Sequence, residues 1–144
     1  MPGTVNPKQL DHVGIAVKDF DAMVSFMKET YGVEPRLAEQ PHIGIRGAMF
    51  QFGQSKIEVI SPTKPDTAIA KFLDSRGPGL HHVAFRVDSV QKALDSLKAK
   101  GAELVDQAPR AGMFGTVGFA HPKSTQGILT EFVQDFLPEH QPKK

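Results

Sequence analysis

Cysteine is absent from the 144-residue chain. That absence removes disulfides, thiolate nucleophiles and zinc–thiolate sites together, so any metal has to rest on histidine and carboxylate ligands. An excess of charge is lacking too. Seventeen Lys and Arg face sixteen Asp and Glu, a formal charge of +1, whereas nucleic-acid-binding domains carry a basic patch or stripe. No nucleic-acid partner is expected. No run of about 18 apolar residues occurs, so no membrane-spanning helix is expected. The first residues, MPGTVNPKQ, show neither an apolar stretch nor an Arg-rich amphipathic pattern, so a targeting peptide is not expected and a cytoplasmic, reducing setting is. What is present, 40% hydrophobic and 23% charged residues, is the balance of one folded domain spanning residues 1–144.

An internal repeat organises the chain. Leu10-Asp11-His12-Val13-Gly14-Ile15-Ala16-Val17 returns as Leu80-His81-His82-Val83-Ala84-Phe85-Arg86-Val87. Phe20, Met23, Val24 and Met27 then form a helical stripe, matched by Val90, Ala93, Leu94 and Leu97. Asp19 and Ser89 stand at the N-cap positions, and Gly32 and Gly101 follow as stops. Further strands are predicted over Ile43–Phe52 and Lys56–Ser61, turning at Gly53-Gln54, and over Thr116–Ala120 and Ile128–Gln134. A polar loop, His121 to Gly127, separates the last two. A helix over Asp66–Ser75, with Ile69, Phe72 and Leu73 as its apolar side, joins the halves, and the tail from Pro138 to Lys144 reads as frayed. The expected fold class is α+β with a mixed sheet built twice: module one over about 9–62, a linker helix over 63–79, and module two over 80–136.

Strand alternation assigns the faces. Val13, Ile15 and Val17 face the following helix, as do Val83, Phe85 and Val87. His12 then lies on the other face with Gly14 and Ala16, and His82 with Ala84 and Arg86, while His81 belongs to the packing side or the strand's start. Glu58 and Glu131 occupy equivalent places in mid-strand, where an unpaired carboxylate costs several kcal/mol. Pairing with Lys56 or Arg86 is one compensation. The other is a divalent cation, since two neutral imidazoles and two carboxylates make a charge-neutral site suited to Co, Ni, Mn, Zn or Fe.

The paired modules with His and Glu resemble the vicinal oxygen chelate superfamily of glyoxalases, bleomycin-resistance proteins and dioxygenases. Three longer stretches are similar to the methylmalonyl-CoA epimerases within it: Pro65 to Leu73, Arg76-Gly77-Pro78-Gly79-Leu80-His81-His82-Val83-Ala84-Phe85, and His121-Pro122-Lys123-Ser124 with Gly127-Ile128-Leu129-Thr130-Glu131. The resemblance implies two tandem βαβββ modules curved around a metal cleft, with His12, Glu58, His82 and Glu131 as ligands of a divalent ion, often cobalt. It implies a homodimer acting on an acyl-CoA in propionate metabolism. It further implies removal and return of the α-proton of methylmalonyl-CoA through a metal-stabilised enolate, with Glu131 as one base. Family members often carry a Glu two residues before a Gly that opens the first module's second strand. Gly44 matches that Gly and His42 stands in the Glu position, so His42, or Glu39 from the same loop, is the expected second acid/base.

Other readings stay open. A glyoxalase I-type lyase shares the metal logic, and an extradiol-type dioxygenase shares part of it, though a carboxylate at Glu58 crowds oxygen chemistry. A metal-free binding protein on the same scaffold is the third. Lys71, Arg76, Arg110 and Lys123 are candidates for CoA phosphates or plain surface charges, and His121 with Lys123 would edge the cleft. Ala111 to Gly115 reads either as a flap or as a turn, and His140 as inert.

Overall fold

The computed structural model describes residues 3–142, which fall into two compact units, residues 12–81 and residues 3–11 with 82–142. In the first unit β1 (Gln9–Ala16, which begins in the other unit) leads into α1 (Phe20–Tyr31), followed by β2 (Arg36–Gln40), β3 (Ile45–Phe52), β4 (Ser55–Pro62) and α2 (Ala68–Arg76). The other unit repeats the plan with β5 (Gly79–Arg86), α3 (Val90–Ala99), β6 (Arg110–Ala111), β7 (Thr116–Ala120) and β8 (Thr130–Gln134). The strand orders correspond. β1 pairs parallel with β4, β4 antiparallel with β3, and β3 antiparallel with β2. Likewise β5 pairs parallel with β8, β8 antiparallel with β7, and β7 antiparallel with β6. This is an α+β fold of two tandem βαβββ modules.

The helices form where capping and periodicity direct. Asp19 accepts a hydrogen bond from the Ala22 N–H at 3.0 Å, Ser89 one from Lys92 at 3.1 Å, and Gly32 ends α1 in the left-handed conformation at φ +68°. α1 sets Phe20, Met23, Val24 and Met27 against Ile15, Val17, Ala48, Phe50 and Val59. In the other unit Val90, Ala93 and Leu94 meet Phe85, Val87, Ala120 and Phe132. Each fully buried side chain in these clusters contributes about 1.5–3 kcal/mol. The predicted helix-facing residues Ile15, Val17, Phe85 and Val87 therefore fall as alternation requires. α3 lies close on its sheet because β7 carries Gly118, where a Cβ would come within 2.8 Å of a Leu94 methyl carbon.

Several expectations are corrected. β2 and β6 had no predicted boundaries; β6 has only two residues, and β2 is polar with Gln40 as its one buried member. The linker helix starts at Ala68, not Asp66, because Thr67 supplies the cap through a 3.0 Å bond from Ala70 N–H and Asp66 sits at φ +68°. β8 opens at Thr130, two residues later than predicted, and the polar loop before it holds a short 3-10 turn over Pro122–Ser124. Of the two readings of Ala111 to Gly115, flap or turn, the structure has the turn, a tight hairpin closed by the Gly112 N–H on Gly115 O at 2.8 Å. The tail is not frayed over Pro138–His140, which forms a 3-10 turn tied to Thr116 through a 2.8 Å contact with His140 Nδ1. Lys143 and Lys144 lie outside the described residues.

Candidate metal centre

Each unit holds one buried His–Glu pair, built the same way. In the first, Gly14 stands opposite Glu58, which places Glu58 two residues along from His12 on the neighbouring parallel strand and on the same face. His12 Nε2 lies 3.8 Å from Glu58 Oε1. In the second, Ala84 stands opposite Glu131 and His82 Nε2 lies 3.8 Å from Glu131 Oε1. All four side chains are buried.

The separation of 3.8 Å exceeds a direct N–H···O hydrogen bond, whose limit is about 3.2 Å. It suits two donors sharing an ion: bonds of about 2.0–2.2 Å to one cation hold neighbouring ligand atoms roughly 3–4 Å apart. Borderline imidazoles with hard carboxylates are a donor set for divalent first-row metals. The residues therefore fit a divalent ion. The competing compensation by Arg86 is not what the structure uses. Arg86 donates to Asp11 at 2.9 Å and to Asp135 at 3.0 Å.

The environment of His82 contains a residue that sequence reasoning missed. Phe119 on β7 stands opposite Glu131, and its ring meets the His82 imidazole edge-on at 5.6 Å between centroids. Period-two alternation along Thr116–Ala120 was the signal for it, since the residue in register with a mid-strand Glu faces the same way. His81 packs on the linker helix, its ring 4.9 Å from that of Phe72, in keeping with a packing role.

His42 is exposed, in the turn between β2 and β3. Two residues on, Gly44 adopts φ +82° and lies so close to Lys64 and Thr67 that a Cβ would stand 2.5 Å from Lys64 Cγ. Glu39 points elsewhere. It is in register with Arg46, whose guanidinium lies 4.5 Å from the Phe20 ring centre on the helix side of the sheet. There Glu39 lines an open groove of about 400 Å³ with Phe20, Asp21, Leu37 and Arg46, on the face away from Glu58. His121 caps the 3-10 turn by accepting the Lys123 N–H on Nδ1 at 3.0 Å.

These features define a member of a known class. The family model of the Glyoxalase/Bleomycin resistance protein/Dioxygenase superfamily matches residues 11–120, and the chain belongs to that superfamily. Within it the chain is similar to the methylmalonyl-CoA epimerases. The ethylmalonyl-CoA/methylmalonyl-CoA epimerase of Cereibacter sphaeroides is 33% identical over 130 residues, 88% of this chain and 97% of that protein. An uncharacterized Bacillus subtilis protein, YqjC, is 32% identical over 136 residues, 92% of this chain and 96% of its own length. A single-substitution variant of the Streptomyces coelicolor methylmalonyl-CoA epimerase, solved with 2-nitronate-propionyl-CoA, superposes with a TM-score of 0.85 at 34% identity, over 90% of this chain and 96% of that one. The resemblance read from the HH segment and the HPKS loop therefore holds over most of the chain. No helix among the described residues is long and apolar enough to cross a membrane.

Proposed function

We propose that the chain is a metal-dependent epimerase that interconverts the (R) and (S) forms of methylmalonyl-CoA. The observation that carries this reading is the duplicated His–Glu pair at one register position in each module, in a chain whose relatives include methylmalonyl-CoA epimerases. The ligand set is His12, Glu58, His82 and Glu131; three of these, His12, His82 and Glu131, are buried donors of the kind that holds a metal ion. Cobalt is the expected ion, with Mn, Ni and Zn compatible with the same donors. The reading takes the two modules, about 9–62 and 80–136, with their linker over 63–79, as one working domain. A homodimer belongs to the same proposal, on the strength of the resemblance alone.

The chemistry follows from the substrate. The carbon between a thioester carbonyl and a carboxylate bears an acidic proton, and its removal throws negative charge onto the thioester oxygen. A divalent ion, when bound, supplies Lewis-acid stabilisation for that charge. Inversion needs proton removal on one face and delivery on the other, hence two acid/base groups. Glu131 takes or returns the proton on one face through a carboxylate oxygen. His42 serves the opposite face, since imidazole changes protonation near neutral pH.

The test is proton NMR of each methylmalonyl-CoA epimer in D₂O with protein, once with added divalent ion and once with EDTA. Loss of the α-proton signal in the metal sample alone is expected. Glu131→Gln and His42→Ala should each slow exchange by about 10²–10⁴-fold, for opposite epimers. Exchange that is absent with metal verifiably bound removes this substrate from the proposal, and methylglyoxal with glutathione is then the substrate to try.

A further inference from the structure

Arg110 is held in a way that surface arginines are not. Its backbone is fixed in β6, opposite Val117. Its Nε–H donates to Asp106 Oδ1 at 2.9 Å, and the other Asp106 oxygen accepts the Phe119 N–H at 2.9 Å. The backbone of Asp106 is tied to the same residue, its N–H reaching Phe119 O at 3.2 Å. One carboxylate therefore joins Arg110 to the strand residue whose ring touches His82. The guanidinium lies 5.4 Å from the centre of that Phe119 ring. Fixing Nε alone leaves both Nη groups, and among the described residues no side chain takes them. The side chain is 41% exposed. A rigid, half-exposed fork with its terminal donors available is the arrangement that recognises carboxylate or phosphate oxygens bidentately.

We infer that Arg110, positioned by Asp106 and Phe119, is an anion anchor for the ligand whose reacting end meets His82 and Glu131. This rests on the acyl-CoA reading and deepens it by assigning the substrate's anionic oxygens a partner. Two sources share that chemistry: the free carboxylate beside the thioester, and the phosphates at the far end of the pantetheine arm. Only one aromatic ring separates Arg110 from His82, which favours the carboxylate.

The experiment is calorimetric binding of methylmalonyl-CoA and of propionyl-CoA, which lacks the carboxylate, to wild type, Arg110→Gln and Arg110→Lys, with steady-state kinetics. Losing a charged, bidentate contact weakens binding about 10- to 100-fold, so KM should rise by that factor in Arg110→Gln while kcat stays within a few-fold. Arg110→Lys should recover only part of the loss. Weakening confined to methylmalonyl-CoA supports the carboxylate as the source, and equal weakening of both ligands supports the phosphates. Unchanged affinity for both in a folded Arg110→Gln protein overturns the inference, even if thermal stability falls, because a structural strut alone does that. Should wild type bind neither acyl-CoA, the epimerase reading fails separately. The Arg110 Nε–H resonance of ¹⁵N-labelled wild type, titrated with methylmalonate and with pyrophosphate, then decides: movement with either sustains the anchor, and none with both overturns it.

Discussion

The imidazole of His82 and the carboxylate of Glu131 approach to 3.8 Å and stop there, and His12 stops at the same distance from Glu58. Two pairs with one separation, each too wide for a direct hydrogen bond, are compatible with the proposed ligand positions. A divalent ion that binds the folded chain should stabilise it. At a free Co²⁺ concentration 100 times the dissociation constant the gain is about 2.7 kcal/mol, roughly 5–10 °C in thermal midpoint for a domain of this size. Differential scanning fluorimetry with and without EDTA measures it. In Glu131→Gln the shift should fall to less than half; an undiminished shift removes Glu131 from the ligand set.

Gly118 tests how tightly α3 sits on its sheet. A methyl group there meets Leu94 Cδ1 at 2.8 Å and Val90 Cγ1 at 2.9 Å, both in fully buried side chains that cannot swing away. Gly118→Ala should cost about 1–3 kcal/mol by overpacking, read as a lower urea midpoint at unchanged slope. Leu94→Ala in that background should cost less than it does alone, because the added methyl fills part of the cavity. Simple additivity would show that the helix has moved aside instead.

The parts of the fold legible in the sequence are those carried by short-range chemistry. Asp19 and Ser89 announce their helices by a cap that acts over three residues, and Thr116–Ala120 is a strand with the predicted ends because its apolar pattern is undisturbed. The His and Glu positions were legible because duplication showed them twice. β2 escaped because an edge strand with one buried residue, Gln40, carries no alternating signal, and a two-residue strand such as β6 cannot carry one. The partners of Arg86, which are 75 and 49 residues away in sequence, share no periodicity with it. Asp106 was invisible for a related reason, since its role depends on a loop folding back on β7.

Arg86 supplies a test of electrostatics with a definite sign. Burial lowers its pKa, but hydrogen bonding and charge attraction from Asp11, and then from Asp135, outweigh that and hold it above the ordinary value. A raised folded-state pKa contributes stability that is complete below the unfolded value and is lost only as pH climbs through the folded one. Both values lie far above neutrality, so the contribution should be level from pH 7 to 9. Arg86→Met removes the cation from Asp11, which is 2% exposed. Breaking a buried pair costs about 3–5 kcal/mol, and partial exposure of Arg86 reduces the expectation to about 2 kcal/mol. Urea titrations of both proteins at pH 7 and 9 should give the same difference; a gap that narrows at pH 9 would trace the effect to another titrating group.

Thr116 fastens the end of the chain. Its fully buried hydroxyl accepts the Leu137 N–H at 2.9 Å and lies 2.8 Å from His140 Nδ1. With the ring proton on Nε2, the hydroxyl hydrogen serves Nδ1 while a lone pair serves Leu137, so one oxygen satisfies two groups. Thr116→Val keeps the shape and loses both bonds, leaving the Leu137 N–H without its acceptor, at a cost of about 1–3 kcal/mol. Thr116→Ser keeps both and should remain close to wild type. Hydrogen exchange separates a local from a global effect. In Thr116→Val the Leu137 amide should exchange faster than the global stability change accounts for, while amides of β7 and β8 slow or quicken only with that change. Equal acceleration throughout would mean that Thr116 supports the sheet rather than the tail.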